Sequence, residues 1–130
     1  MEAAVAKRVL VVDDDDGVRE IVQISLEAVA GWTVLTAPSG AAAIAIAQAE
    51  QPDAILLDVM MPDLDGVETF RQLQQSPQTR TIPTILLTAK AKVSERQAFA
   101  NLGVAGIITK PFEAVSLAAQ VSQLLQWPAP

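Results

Sequence analysis

Short apolar runs alternate with longer segments of helical spacing along the chain. Each run is apolar without a polar face and is bounded by turn-forming residues. This pattern is typical of strands that are buried on both faces of a parallel sheet. The predicted strands are residues 8–12, 32–36, 54–57, 82–87 and 105–109.

The segments between these runs carry helix signals. The first predicted helix keeps apolar or small residues at helical spacing up to the C-cap Gly31, at positions Val18, Ile21, Val22, Ser25 and Val29. Ser39 is the predicted N-cap of the second helix, which ends at Gln51-Pro52. The later helices are predicted over residues 67–75, 93–102 and 114–125.

Strands that alternate with helices imply right-handed βαβ units. We therefore expect one three-layer α/β domain: a doubly wound, five-stranded parallel sheet with helices on both faces. Its predicted limits are residues 8–126, between an N-terminal tail at 1–7 and a C-terminal tail at 127–130. No linker or second domain is expected within these residues.

Composition narrows the possible functions. The 130 residues are 51% hydrophobic, which indicates a globular chain, and the net charge is −6. Such a charge argues against a nucleic-acid or anionic-membrane surface, which needs clustered positive charge. No stretch is long enough to span a bilayer and no secretory signal is recognisable, so a cytoplasmic location is expected. The absence of cysteine and histidine excludes thiolate chemistry, Ser-His-Asp catalysis and His-ligated zinc.

Polar residues stand where the predicted strands end. Asp13 and Asp14 follow the first strand, Asp58 the third, Thr88 the fourth and Lys110 the fifth. Carboxyl ends of parallel strands share one edge, where open α/β sheets bind ligands. Clustered carboxylates need a cation, and all-oxygen ligands suit Mg²⁺. The hydroxyl and the ammonium suit phosphoryl oxygens.

A simpler interpretation exists for each residue alone. The run of Asp13–Asp16 is also typical of a solvated loop that caps a helix N-terminus. A single threonine at a strand end or a single lysine is usually structural or solvated. The combination at one edge of the sheet, rather than any single residue, predicts a site for phosphate and a divalent cation.

Four segments resemble the landmarks of the receiver domains of two-component response regulators: VLVVDDDDGVRE, ILLDVMMPDLDG, ILLTAK and KPFE. They occur in the order and spacing of that family, from about residue 8 to residue 126. The resemblance implies a flavodoxin-like fold with strand order 2-1-3-4-5. The site would then lie where the first and third strands diverge.

The resemblance also implies roles at the metal and the phosphate. Asp58 matches the phosphoacceptor, Asp14 a direct Mg²⁺ ligand, and Asp13 a ligand that more often acts through water. The backbone carbonyl of Met60 matches a further ligand.

Two more landmark residues match the switch and the phosphate contact: Thr88 the switch hydroxyl and Lys110 the lysine that pairs with the phosphoryl group. The Lys110–Pro111 bond is commonly cis in relatives.

The partners implied by the resemblance are a histidine kinase or phosphotransfer protein as phosphodonor and an unknown downstream protein. The downstream contact is expected on the face formed by the fourth helix, fifth strand and fifth helix, in a monomer or weak homodimer. The chain would assist its own phosphorylation and slow dephosphorylation without being an enzyme in the usual sense.

Many relatives carry an aromatic switch residue at the position that is Ile107 here, so the usual coupling, in which an aromatic ring swings inward as the threonine moves, lacks its ring in this chain. Met60 and Lys90 occupy positions that tune phosphate lifetime. Because a methionine cannot orient the attacking water, we expect slow self-dephosphorylation. Ala89 is small, as access to the phosphoryl pocket requires.

Aromatic residues are expected to have structural roles. Phe70, Phe99 and Phe112 are predicted to pack in the core or between helices. Trp32 is expected to cover the sheet edge, and Trp127 is expected to be exposed near the terminus.

Two alternatives remain open on sequence alone. Asp14–Val18 also resembles the motif of haloacid dehalogenase-type phosphatases, with Asp14 as nucleophile and Asp16 as acid/base, although this leaves MMPDLDG and KPFE unexplained. A receiver-like interaction module that works without phosphorylation is the second alternative. The aromatic missing at Ile107 keeps it open, although all five residues of the phosphate and metal pocket are present.

Overall fold

The computed structural model describes residues 7–89 and 92–130. Most of the predicted N-terminal tail and Lys90 therefore lie outside the described residues. None of the helices in the described ranges is long and apolar enough to cross a membrane.

In the described part of the chain, five parallel strands form one sheet in the order β2-β1-β3-β4-β5. This confirms the predicted doubly wound, flavodoxin-like architecture. The strands are β1 (Arg8–Val12), β2 (Thr33–Ala37), β3 (Ala54–Asp58), β4 (Thr84–Thr88) and β5 (Gly106–Thr109).

Each strand is followed by a helix, and the polar residues at the helix ends explain several of the limits. Asp15, Ser39 and Asp65 are N-caps whose side chains accept backbone N–H groups of the first turn. Gly31 is the left-handed C-cap of the first helix, with a φ of 69°. The helices are α1 (Asp16–Ala30), α2 (Gly40–Glu50), α3 (Gly66–Gln75), α4 (Val93–Ala100) and α5 (Ala114–Leu125).

Alternate residues of the central strands divide the core into two layers. Val9 and Val11 of β1 pack with α1 and α5 on one face of the sheet. Leu10 and Val12 pack with α2 and α3 on the other face. Because side chains alternate along a strand, a strand that is buried on both faces must be apolar throughout, which is the pattern that the sequence shows.

Three details differ from the sequence-based expectations. Pairing of β4 begins at Thr84 rather than residue 82, since Pro83 has no N–H to donate. Helix α4 ends at Ala100, and tighter three-residue turns continue to Gly103. Ile21 and Val29 of α1 are exposed, at 57% and 44%, because the buried face is formed by Val22, Ser25 and Leu26.

The two tryptophans pack against each other. Trp32 is buried in the core, and its ring centroid lies 5.3 Å from that of Trp127 in an edge-to-face arrangement. The expectation that Trp127 is exposed is wrong, because this contact and the ammonium of Lys7, 4.9 Å from the Trp127 ring, cover it in part. Phe70 is buried, and Phe99 and Phe112 pack at the margins of the core, as predicted.

Candidate functional site

The carboxyl ends of β1 and β3 bring three carboxylates together. These two strands are neighbours in the sheet, and Val12 pairs with Leu57 at the last step before the acidic residues. One oxygen each from Asp13, Asp14 and Asp58 can be chosen so that all lie within 4.8 Å of one another. Asp13 and Asp58 are buried, whereas Asp14 is exposed. The predicted cluster of carboxylates is therefore present.

The Asp13 carboxylate has a partner for each oxygen. Its Oδ1 accepts a hydrogen bond from the backbone N–H of Asp15 at 2.9 Å, and its Oδ2 accepts one from Nζ of Lys110 at 3.0 Å. These bonds fix the orientation of a side chain that is almost completely buried.

Lys110 bridges the two buried carboxylates. Besides Asp13, its Nζ contacts Oδ1 of Asp58 at 3.2 Å. The backbone N–H of Lys110 donates to the carbonyl of Thr88 at 2.8 Å, which ties β5 to β4 at this edge. The Lys110–Pro111 bond is cis, as the resemblance implied.

The pKa values of Asp58 and Lys110 both rise above their usual ranges. Burial, followed by the negative charge of Asp13, raises the pKa of Asp58, and the contact with Lys110 opposes this rise only in part. Burial alone would lower the pKa of Lys110, but its hydrogen bond to Asp13 and the charge of Asp58 raise it. Lys110 is therefore a cation at neutral pH, and the charge on Asp58 is unfavourable unless further positive charge is nearby.

Thr88 and Met60 flank Asp58. Thr88 is fully buried at the end of β4, one residue beyond Leu87, which pairs with Asp58 in the sheet. The backbone N–H of Met60 lies 3.4 Å from Oδ1 of Asp58, and its side chain is 61% exposed. All residues predicted for the site thus lie at the same edge of the sheet.

The acidic run divides into two functions. Asp13 and Asp14 belong to the cluster, whereas Asp15 caps α1 by accepting the N–H of Val18 at 3.0 Å. Asp16 is 91% exposed and forms an ion pair with Arg19. The simpler interpretation is correct for these last two residues, since Asp15 caps the helix and Asp16 is a solvated residue of its first turn. The Asp16–Arg19 pair gives no support to an acid/base role for Asp16.

Two contributors to the site were not identified in the sequence. Arg19 donates a hydrogen bond from Nη1 to the backbone carbonyl of Asp13 at 2.6 Å. Gly66 lies against β3 so closely that a Cβ atom there would be 2.3 Å from the carbonyl oxygen of Asp58. The three-residue spacing of Asp16 and Arg19 on a helix and the turn signal Asp65-Gly66 were the available signals.

The donor set fits a hard divalent cation. Within the described residues, three carboxylates lie beside one ammonium, that of Lys110, and every ligand atom of the cluster is oxygen. Mg²⁺ takes one or two carboxylates, keeps several waters and uses phosphate oxygens as further ligands. The exposed Asp14 carboxylate gives such an ion a side that is open to solvent.

Comparisons with known proteins agree with this geometry. The family model described as "Response regulator receiver domain" matches residues 9–122. The response regulator MprA of Mycobacterium ulcerans is 43% identical over 119 residues, which cover 92% of this chain and 50% of that protein. The alkaline phosphatase synthesis transcriptional regulatory protein PhoP of Bacillus subtilis is 39% identical over 120 residues, covering 92% and 49%. The chain thus spans about half the length of these curated relatives.

Solved structures share the fold over nearly their whole length. The chemotaxis response regulator CheY4 of Vibrio cholerae superposes with a TM-score of 0.86 at 31% identity, covering 92% of this chain and 99% of that chain. A putative response regulator from Chloroflexus aurantiacus gives a TM-score of 0.84 at 34% identity, covering 94% and 99%. The chain belongs to the family of response regulator receiver domains, which are phosphoacceptor switches of two-component systems.

Proposed function

We propose that Asp58 accepts the phosphoryl group and that Asp13, Asp14 and Asp58, with the backbone carbonyl of Met60, hold Mg²⁺ beside it. The observation that carries this proposal is the convergence of three carboxylates within 4.8 Å, with the ammonium of Lys110 in contact with two of them. Asp58 is also the carboxylate at the end of the strand that lies between β1 and β4.

The reaction is an in-line transfer from a phosphohistidine. A carboxylate oxygen of Asp58 attacks phosphorus, the new O–P bond forms as the N–P bond breaks, and the electron pair leaves with the imidazole nitrogen of the donor. Lys110 is placed to pair with the oxygens of the transferring group, since it already contacts Asp58. Bound Mg²⁺ supplies positive charge against those same oxygens.

The donor is a histidine kinase or a phosphotransfer protein acting in the cytoplasm. An open apolar cavity of about 400 Å³ adjoins Lys110 and gives such a protein a surface beside the phosphoacceptor. It is lined by Val18, Ile21, Val22, Ala89, Lys110, Pro111 and Phe112. The exposed apolar side chain of Ile21 is well suited to contact a donor helix.

The response passes through Thr88 to the face formed by α4, β5 and α5. The added phosphoryl charge draws the Thr88 hydroxyl inward, and α4 is the element best able to respond. Over residues 93–100, α4 contains no fully buried side chain, and Arg96 joins it to Thr109 of β5 by a hydrogen bond of 2.9 Å. Val93 and Val115, each 71% exposed, offer apolar contacts to a downstream protein, with the chain acting as a monomer or weak homodimer.

The direct test is phosphate uptake by the wild type and by Asp58→Asn. Only the wild type should take up acid-labile phosphate from a phosphoramidate in the presence of Mg²⁺, and equal uptake by the variant would refute Asp58 as acceptor. Beryllofluoride, which mimics the aspartyl phosphate, should bind only with Mg²⁺. No binding at millimolar Mg²⁺ would favour a module that works without phosphorylation. Hydrolysis of a generic phosphomonoester that survives Asp58→Asn would favour the phosphatase alternative.

A pull-down then addresses the partner. The magnesium–beryllofluoride form should retain a protein that the untreated form does not, through the face of α4, β5 and α5. Retention that is identical in the two forms would contradict a phosphorylation-dependent output.

A further inference from the structure

The three carboxylates of the cluster are held very differently. Asp13 and Asp58 are buried and hydrogen-bonded to Lys110. Asp14 is exposed, and within residues 7–89 and 92–130 its carboxylate accepts no hydrogen bond. Among the described residues, the constraint on the Asp14 carboxylate therefore comes from the backbone that carries it.

Arg19 holds that backbone. Its Nη1 donates to the carbonyl oxygen of Asp13 at 2.6 Å, and this carbonyl belongs to the peptide group that joins Asp13 to Asp14. The other end of the guanidinium group pairs with Asp16, and the Arg19 side chain is only 16% exposed. One rigid, planar group thus connects the start of the loop to the first turn of α1.

We propose that Arg19 is a positioning residue for the divalent cation: it fixes the Asp13–Asp14 peptide group so that the Asp14 carboxylate faces the metal. This inference rests on the proposed Mg²⁺ site and adds Arg19 to the residues on which that site depends. Arg19 does not touch the metal or the phosphoryl group and acts only through the loop.

Whether removal of Arg19 weakens or tightens Mg²⁺ binding distinguishes a positioning role from a purely electrostatic one. Arg19 is a cation close to a cation site, so its charge alone weakens Mg²⁺ binding. If charge were its only contribution, removing Arg19 would tighten binding. If Arg19 orients the loop, its removal weakens binding although the local charge becomes more negative.

The test compares Arg19→Met and Arg19→Lys with the wild type in Mg²⁺ titrations followed by backbone amide chemical shifts. Arg19→Met removes the charge and the donors at similar length, whereas Arg19→Lys keeps the charge but loses the planar fork. We expect the Mg²⁺ dissociation constant to rise about tenfold in Arg19→Met, the size typical for the loss of a group that supports a ligand. Arg19→Lys should also bind more weakly, which a purely electrostatic role does not predict.

Two controls isolate the contact with the Asp13 carbonyl. Asp16→Asn weakens an ion pair whose Asp16 end is 91% exposed and should leave the dissociation constant within about twofold, because solvent screens the charge of Asp16. Arg71→Met removes the same charge from α3. Arg71 is 59% exposed and pairs loosely with Glu68 at 3.8 Å, so the Mg²⁺ dissociation constant should stay unchanged.

Different results would contradict the role of Arg19 and the proposed Mg²⁺ site itself. Unchanged or tighter Mg²⁺ binding by Arg19→Met, in a variant whose amide spectrum shows the native fold, overturns the positioning role alone. If that variant does not fold, Arg19→Lys decides, and wild-type affinity in it overturns the role equally. A wild-type chain that binds no Mg²⁺ at millimolar concentration overturns the site itself.

Discussion

The ammonium of Lys110 and the carboxylate of Asp58 are in contact at 3.2 Å although 52 positions separate them in the sequence. Asp13 shares the same ammonium at 3.0 Å. One lysine therefore compensates two buried carboxylates, and a third carboxylate, Asp14, lies within reach of both. In the part of the chain that the structure describes, this ammonium faces three carboxylates, and a divalent cation would relieve the excess of negative charge.

The first prediction concerns stability without metal. Asp58→Asn should raise the free energy of unfolding at neutral pH, since it replaces a carboxylate whose ionised form is disfavoured by a neutral side chain of similar size. The physical reason is that burial and Asp13 disfavour the ionised form of Asp58, while Asp13 remains as a partner for Lys110. Urea unfolding in the presence of a chelator measures the change, and Glu20→Gln on the exposed side of α1 controls for net charge.

The pH dependence has a definite sign. A raised pKa means that folded Asp58 binds its proton more tightly than the unfolded chain, whose aspartate pKa is about 3.9. The free energy of unfolding of the wild type should therefore fall as the pH rises from there through the raised pKa. The advantage of Asp58→Asn should be absent below that range and complete above it. If Asp58→Asn were more stable than the wild type by the same amount below and above this pH range, the raised pKa of Asp58 could not be the cause.

Saturating Mg²⁺ should reverse the order of stability of the wild type and Asp58→Asn. A ligand that binds only the folded state stabilises it by mass action, and Asp58→Asn lacks one proposed ligand of the ion. The wild type should therefore gain more from saturating Mg²⁺ than the variant does. Equal gains in the two proteins would show that Asp58 takes no part in binding the ion.

The edge of the sheet and the buried face of α1 show what the sequence could and could not predict. The polar residue at the end of each apolar run was sufficient to predict that Asp13 and Asp58 occupy the same edge of the sheet. That β1 and β3 are neighbours came from the resemblance, because hydrophobic pattern carries no information on strand order. The expected buried face of α1 was wrong at Ile21 because apolar residues occur on more than one side of that helix.

The two residues of the site that were not identified in the sequence, Arg19 and Gly66, act through the backbone. Arg19 bonds to a main-chain carbonyl and Gly66 makes room for one, so neither role depends on a recognisable pair of side chains. Such contacts become visible only once the chain path is known.

Another prediction concerns the lifetime of the phosphorylated form. Met60 exposes 61% of its surface beside Asp58 and offers only a weak acceptor to water. Replacing it by asparagine adds a donor and a carbonyl acceptor that can orient the attacking water. Met60→Asn should therefore lose phosphate several-fold faster than the wild type in a time course of acid-labile phosphate.

The matched control for this substitution is Ile24→Asn, which places the same side chain at a 56% exposed position of α1. Its phosphate lifetime should equal that of the wild type. A wild-type half-life of only seconds would contradict the slow self-dephosphorylation expected from Met60.

Gly66 provides a further prediction. A Cβ atom at this position would lie 2.3 Å from the carbonyl oxygen of Asp58 and 2.7 Å from Cα of Val59, so backbone must move to admit it. Gly66→Ala should lower the free energy of unfolding by about 2 kcal/mol and weaken Mg²⁺ binding, because the displaced segment carries Asp58. Urea unfolding and a Mg²⁺ titration measure the two effects.

Gly106→Ala separates crowding from damage to the site. There the added Cβ would meet the side chain of Leu124 at 2.7 Å, which can shift, and Gly106 begins β5 at the edge opposite the carboxylates. This variant should lose some stability and keep its Mg²⁺ affinity. Wild-type Mg²⁺ affinity in Gly66→Ala would show that the loop adapts without moving Asp58.

The last prediction separates docking of the phosphodonor from chemistry at Asp58. Ile21 and Ile24 lie on the same helix with nearly equal exposure, 57% and 56%, but only Ile21 lines the apolar cavity beside Lys110. Ile21→Ser should slow transfer from a phosphohistidine protein about tenfold, because a buried isoleucine contact contributes roughly 1–3 kcal/mol. Phosphorylation by a small phosphoramidate should be unchanged, since that donor needs no such contact. Ile24→Ser should behave as the wild type with both donors, and equal slowing by the two substitutions would move the docking surface away from the cavity.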